Sequence, residues 1–212
     1  MTTLPQEVEQ ISRQVSRLKG RVLVGGLGLG LANAYLEAND AVTEIVVVEK
    51  SPEVIALIKP CMPKEKTIVV EGDLFEYLKD LSLCHFDFAF YDIWCPTGER
   101  VLTQHVMPLR RLSRNIVAQE NIECWNEEEM LGQIKMHVQT ACQSIDWKES
   151  PIHGLLKMPE QEFNRFKSGQ GFVWYFYRWM RQEKPTTEQG LARVEEFIAS
   201  LKDPKKFDEE WA

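Results

Sequence analysis

Apolar positions change rhythm along the chain. Residues 5–19 (PQEVEQISRQVSRLK) place Val8, Ile11, Val15 and Leu18 at helical spacing and stop at Gly20, which predicts an amphipathic helix. From there to about residue 94, short apolar runs alternate with helical segments. RVLVGG, TEIVVVE, KTIVVEGD and HFDFAFYDIW read as strands. Between them, LANAYLEAN, SPEVIALIKP and LFEYLKDL read as helices. LANAYLEAN would turn Leu31, Ala34, Tyr35 and Ala38 to one side. Ser51 fits an N-cap with Pro52 at the first helical position. Because the strands are apolar nearly throughout, they predict a parallel sheet covered on both faces and joined by right-handed crossovers.

The rhythm loosens after Pro96. ERVLTQHVMPLRRLSR predicts a helix disturbed near Pro108, and IVAQENIECW a fifth strand. EEEMLGQIKMHVQTACQSI predicts a strong helix with Met130, Ile134, Met136, Val138 and Ala141 as its apolar positions. Beyond Pro151 the chain turns helical and aromatic, with Phe163, Phe166, Phe172, Trp174, Tyr175, Phe176, Tyr177 and Trp179 close together. A final amphipathic helix over 186–201 points Leu191, Val194, Phe197, Ile198 and Leu201 inward, and KDPKKFDEEWA reads as a charged tail that frays. The expected organisation is a Rossmann-like, doubly wound α/β domain over residues 1–125. A helical C-terminal extension over 126–212 is expected to pack on the same domain.

The strand ends carry the candidate chemistry. Val22 to Gly30 reads VLVGGLGLG, a strand running into Gly26-Leu27-Gly28-Leu29-Gly30 and then a helix. Glycines let the backbone turn tightly and approach a ligand where a Cβ would collide. The dinucleotide fingerprint GxGxxG fails, because Leu31 or Asn33 falls at its third position, so a nicotinamide site is disfavoured. GxGxG suits S-adenosylmethionine, which has no pyrophosphate. Glu49 closes the second strand about twenty residues beyond the loop, where an acid accepts hydrogen bonds from ribose hydroxyls. Asp73 follows the third strand and Asp92 the fourth, and ligands of such sheets bind at these carboxyl ends. Each acid taken alone could instead cap a helix, as Asp73 would before LFEYL.

Taken together, VLVGGLGLG, VVVEKSPEVIALIKP, VVEGDLFEYL and FDFAFYDIWCP resemble the class I S-adenosylmethionine-dependent methyltransferase superfamily, within it the spermidine-synthase-like branch, over about residues 20–100. The resemblance implies roles by position. Gly26, Leu27, Gly28 and Gly30 would pass beneath the methionine part, and Glu49 would hold the ribose hydroxyls, flanked by Lys50 and Ser51. Asp73 would bond the adenine amino group and the Leu74 backbone N–H an adenine ring nitrogen. Asp92 would approach the methionine end, with Ile93 and Trp94 lining the mouth. Spermidine synthases carry Asp-x-x-Asp-Pro after this strand, whereas here Cys95 stands in place of the second acid. Their N-terminal β-structured extension has no room in twenty residues. Methyl transfer to an unidentified acceptor is therefore expected ahead of aminopropyl transfer, with a non-catalytic S-adenosylmethionine-binding protein as a further alternative.

Methyl transfer from a sulfonium needs chiefly a positioned nucleophile, so no obligatory catalytic residue can be named. Cys95 is a nucleophile or, more simply, a buried small apolar group. Trp94 stacks on a ligand or packs under the following helix, and His105, Glu120 and Glu123 complete the candidates. The cluster FVWYFYRWM reads as core or an oligomer interface ahead of a substrate lid, which leaves homo-oligomer formation open.

Composition narrows the partners. The 212-residue chain has a net charge of −7, which disfavours a nucleic-acid substrate unless Arg110, Arg111 and Arg114 form a local patch rather than a solvated helix end. The five cysteines (Cys61, Cys84, Cys95, Cys124, Cys142) are odd in number and lack CxxC spacing, which implies free thiols in a reducing compartment. His85, His105, His137 and His153 do not pair with them at zinc-ligand spacing, so no metal is expected. MTTLPQEVEQ shows no secretory signal, and Phe172 to Met180 is too short to span a bilayer and is interrupted by Arg178, so a cytoplasmic protein without a membrane partner is expected.

Overall fold

The computed structural model describes residues 4–62, 65–81, 86–95, 98–165 and 171–212. Cys84, His85, Pro96 and Phe166, singled out above, lie outside the described residues. The chain divides into two compact units, one of residues 1–95 and 109–125, the other of 96–108 and 126–212.

The first unit is a five-stranded parallel sheet in the order β3-β2-β1-β4-β5. Its strands are β1 (Gly20–Gly25), β2 (Val42–Glu49), β3 (Thr67–Glu71), β4 (Phe88–Tyr91) and β5 (Ile122–Cys124). Helices α1 (Pro5–Val15), α2 (Leu31–Glu37), α3 (Pro52–Ile58) and α4 (Leu74–Asp80) precede or connect the first four strands. This is a Rossmann-like α/β fold, and the order reverses between β1 and β4. Alternation along each strand sorts the side chains into two layers. Val22, Val24, Ile45, Val47 and Phe90 are buried on one face with Ile11, Val15, Leu18 and Leu36. On the other face Tyr91 is fully buried, and its hydroxyl shares a 2.6 Å hydrogen bond with Ser113. Burial pushes the Tyr91 phenol well above its ordinary range, so it serves as a neutral strut.

Several expectations shift. In α2, Leu31 and Tyr35 pack against the core as expected, but Ala34 and Ala38 are exposed, because the buried arc centres on Leu36 and on Asn33, whose side-chain oxygen accepts from the Thr67 hydroxyl (3.0 Å). β4 ends at Tyr91, and β5 starts only at Ile122 after a 3-10 turn over Gln119–Asn121. Arg110 belongs to no basic patch. Its side chain is buried, and its guanidinium donates to the carbonyls of Gln119 (3.0 Å) and Ile122 (3.1 Å).

In the second unit, α5 (Glu99–Val101) is followed by a π-helical stretch, Leu102–Val106, and then by α6 (Met107–Ser113), whose later residues belong to the first unit. Pro108 lacks an N–H, and the wide turn before it is where the sequence expected a disturbance. The remaining helices are α7 (Glu127–Gln143), α8 (Pro151–Lys157), α9 (Glu160–Arg165), α10 (Gly171–Glu183), α11 (Thr187–Ser200) and α12 (Pro204–Glu210). Met136 of α7 is exposed rather than inward. The aromatic cluster is core: Phe176 meets Phe197 at a tilt, 5.1 Å between ring centroids, and Phe197 meets Trp211 edge-on at 4.6 Å. The terminal segment does not fray. Asp203 caps α12 by accepting from the Lys205 and Lys206 N–H groups, and Phe207 and Trp211 anchor it by burial. The Glu99 carboxylate accepts the Val173 N–H (2.9 Å), so it caps α10 across a long stretch of chain.

Candidate functional site

The strands of the first unit end together. Gly25 is level with Val48 on one side and Tyr91 on the other, and Glu49 is level with Glu71. The crevice where strand order reverses therefore opens beside the glycine turn, with Glu49 and Asp73 to one side and Asp92 to the other. At ~4.8 Å per strand, β3 to β4 spans about 14 Å, enough for an adenosine and a short arm.

The turn itself is built by contacts that only glycine permits. A Cβ on Gly26 would lie 2.4 Å from the Asp92 carbonyl oxygen, and its φ of +90° is one that other residues rarely adopt. The Gly26 N–H donates to the Val48 carbonyl (2.9 Å), and the Gly30 N–H donates to the Leu27 carbonyl (2.8 Å). Gly28 also takes a positive φ, of 52°. Leu74 is buried with its side chain beneath Gly25, where a Cβ would come within 2.4 Å of Leu74 Cδ2.

Glu49 ties the turn to β2. Its Oε2 accepts the Leu27 N–H (2.8 Å) and its Oε1 the Ser51 N–H (2.8 Å). Those bonds fix the carboxylate, and each oxygen keeps a second lone pair for a hydroxyl. Ser51 caps α3 as expected, accepting from the Val54 N–H at 3.2 Å.

Asp73 is an engaged residue. Its Oδ1 accepts the N–H groups of Phe75 (2.9 Å) and Glu76 (3.4 Å), and its Oδ2 pairs with the exposed Lys50 ammonium at 3.0 Å. The Lys50 hydrogen bond leads the effects that hold its carboxyl below the usual range. Beside it, the Gly72 N–H donates to the Glu49 carbonyl, and the space where a Gly72 side chain would stand is open.

Asp92 is the opposite case. Its backbone N–H donates to the Gly25 carbonyl (2.9 Å), but its half-buried carboxyl makes no hydrogen bond or ion pair among the described residues. Burial, reinforced by the negative charge of Glu7 on α1, pushes that carboxyl up to about 6. Ile93 packs against Gly26, its Cγ2 3.3 Å from where a Cβ would stand. Trp94 is buried, and its indole N–H donates to the Trp125 carbonyl at 3.2 Å.

The structure thus brings Gly26, Leu27, Gly28, Gly30, Glu49, Lys50, Asp73, Leu74, Asp92, Ile93 and Trp94 to one end of one sheet. Glu7 was missed. The signal was available, because a helix that leads back into the first strand of a parallel sheet starts at the sheet's carboxyl end. Cys95 is exposed rather than a buried small group, and Cys61, Cys95, Cys124 and Cys142 are free thiols. Glu123 pairs with Arg17 and Glu120 is exposed, while His105 lies in the π-helical stretch of the second unit. An open cavity of about 470 Å³ lies at the opposite end of the strands, lined by Lys19, Gly20 and Asp87 among others. There the Asp87 carboxylate is taken up by the Arg21 N–H at 2.8 Å. Among the described residues no group of three or more His, Cys, Asp or Glu could hold a metal ion, and no helix is long and apolar enough to cross a membrane.

No protein-family model and no curated protein sequence matches the chain. Among solved structures it is similar to a spermidine synthase bound to the transition-state analogue AdoDATO, at 16% identity and a TM-score of 0.44 over 56% of this chain and 45% of that one. It is similar to the spermidine synthase of Thermotoga maritima at 15% identity and a TM-score of 0.41, over 54% and 42% of the two chains. An S-adenosylmethionine-dependent methyltransferase from Mesorhizobium loti matches at 17% identity and a TM-score of 0.35, over 53% and 47%. The chain spans less than half the length of each of these three proteins.

Proposed function

We propose that the carboxyl end of the first unit's sheet binds S-adenosylmethionine and that the protein transfers its methyl group to an acceptor. The observation that carries this reading is the Leu27 N–H bond to Glu49. It locks a glycine turn to a strand-end acid beside the crevice where strand order reverses. The donor set fits a nucleoside with a cationic arm: fixed Glu49 oxygens for a ribose diol, open space beside Gly72 for a base, and the Asp92 carboxyl, which has no hydrogen-bonding or ionic partner among the described residues, for positive charge.

Asp73 fits its expected part less directly, since capping α4 and pairing with Lys50 already use its oxygens. An adenine amino group would share Oδ2 with Lys50 or displace it. When bound, the cofactor supplies an activated methyl on a sulfonium whose departure leaves a neutral thioether. The protein's part is positional. Gly26 and Gly28 keep the turn free of side chains, Glu49 orients the sugar, and Ile93 and Trp94 shield the crevice from water. Holding two reactants in line can remove ~7–11 kcal/mol of a barrier, so positioning alone suffices for this chemistry.

Isothermal titration of the full chain with S-adenosylmethionine and S-adenosylhomocysteine tests the reading. Saturable binding of one ligand per chain is expected, weakened about tenfold or more in Glu49→Ala, by analogy with the loss of a charged hydrogen-bonding group. Absence of binding up to millimolar ligand would overturn it.

A further inference from the structure

We propose that Asp92, seconded by Glu7, makes the site charge-selective, so that it retains the sulfonium form of the cofactor and releases the neutral thioether left after transfer. This rests on the S-adenosylmethionine reading above.

The argument starts from a local imbalance of charge. The Asp92 backbone is held by its N–H bond to Gly25 and by its carbonyl lying against Gly26, which fixes where its side chain starts, at the end of β4 beside the glycine turn. Its carboxyl is half-buried and lacks a hydrogen-bonding partner among the described residues. Among the described side chains, the charged group that acts on it is Glu7 of α1, another acid. The neighbouring acids at this end are compensated, Glu49 by two N–H groups and Asp73 by Lys50 and the first turn of α4. A carboxylate withdrawn from water without a partner is relieved by a proton or by a cation. The deficit is confined to the end of β4, where the crevice opens.

Methyl transfer changes the charge at such a place. The acceptor's lone pair forms the new bond to the methyl carbon, and the carbon–sulfur bond breaks with its electron pair left on sulfur. Any proton the acceptor carried passes to solvent. The thioether keeps the adenine, the ribose and the amino-acid arm, but has lost the sulfonium charge. Contacts at Glu49 and the glycine turn hold both forms equally. Asp92 and Glu7 distinguish them, which weakens product relative to substrate.

The test is isothermal titration of the full chain with S-adenosylmethionine and with S-adenosylhomocysteine at about pH 7.5 and about pH 5, either side of the Asp92 titration. S-adenosylmethionine is expected to bind about tenfold tighter at the higher pH, the size a unit charge pair at the edge of a crevice supports. That preference should collapse toward unity at the lower pH and in Asp92→Asn, with S-adenosylhomocysteine affinity nearly unchanged. Glu7→Gln should move the midpoint of the collapse to lower pH, a readout that a merely structural role would not move. Equal affinities at the higher pH overturn the proposal. So do parallel losses for both ligands, which would place Asp92 at the amino group they share. The wild-type pH series decides the matter even if Asp92→Asn fails to fold. Failure of both ligands to bind wild type is a separate result, which removes the cofactor reading and this inference with it.

Discussion

Two strand ends at the same edge of the sheet, with β2 and β1 between them, hold the same residue type in opposite states. Beyond β3, Asp73 is ringed by donors: two N–H groups of α4 and the Lys50 ammonium, which together keep it ionised. Beyond β4, burial and, among the described side chains, Glu7 act on Asp92, and neither favours its charge. Asp73 therefore helps hold the fold together, whereas Asp92 weakens it at neutral pH. A fold tolerates such a group where something else gives it a use, and buried, perturbed carboxyls gather at functional sites for that reason. The contrast also separates two kinds of glycine: Gly26 is walled in by the Asp92 carbonyl, and Gly72, beside Asp73, faces open space.

The largest way to break this comparison is at Gly26. In Gly26→Ala the new Cβ meets a backbone oxygen at 2.4 Å and the φ of +90° is strained. A loss of about 3 kcal/mol is expected in urea unfolding, at the upper end for a strained residue. A loss under about 0.5 kcal/mol would mean that the turn is not wedged.

Next comes Asp92→Asn, with the opposite sign. The folded carboxyl titrates at about 6 against an ordinary 3.8, about two units, which at ~1.4 kcal/mol each is about 3 kcal/mol at most, less whatever the open side of the crevice screens. A raised carboxyl pKa means that the folded state binds the proton more tightly than the unfolded chain. Wild-type stability therefore falls as pH rises from about 4 to about 6, and the gain from Asp92→Asn appears over that window. Urea unfolding at several pH values measures it. A destabilised Asp92→Asn above pH 7 would show that the carboxylate has a partner after all.

How much of this was legible beforehand depends on the length scale of its cause. The strands of the sheet were readable because continuous apolar runs such as VLVGG and IVVVE have few other places to go than a doubly covered parallel sheet. The strand-end acids were readable because the parallel order brings those ends together. The state of each acid was not. Asp73 capping α4 was one of two readings the local sequence allowed, and only the approach of Lys50 from β2 completes its neutralisation. The state of Asp92 depends first on burial, a tertiary event, and then on Glu7 of α1, which lies far away in sequence. Arg110 reads as part of a basic run because its partners, the Gln119 and Ile122 carbonyls, leave no mark in composition. The terminal helix read as a fraying tail because its anchors, Phe207 and Trp211, are two apolar residues in a charged stretch. Their burial beside Phe197 is a tertiary event.

A smaller effect separates the two acids again. Asp73→Ala removes a helix cap and should cost about 1 kcal/mol at neutral pH. The folded carboxyl of Asp73 is depressed, so its contribution is present above the unfolded value and is lost as pH falls through the folded one. The penalty in Asp73→Ala should therefore fade in acid, whereas the gain in Asp92→Asn grows toward neutral pH. Matching pH profiles for the two variants would erase the distinction between the strand ends.

The smallest effect on stability is at Gly72, and it is the most discriminating for function. Gly72→Ala places a methyl group where no atom lies within 4 Å, so unfolding free energy should stay within about 0.5 kcal/mol of wild type. Gly72→Trp should fold as well, since the backbone there needs no positive φ, but it fills the space assigned to the adenine. Circular dichroism and isothermal titration on the same samples separate the two consequences: an unchanged fold with S-adenosylmethionine affinity lowered by tenfold or more, on the scale of a lost stacking contact. If Gly72→Trp binds the ligand as wild type does, the base lies elsewhere. The open side of β3 would then be ordinary surface, and the asymmetry between the two strand ends would concern stability alone.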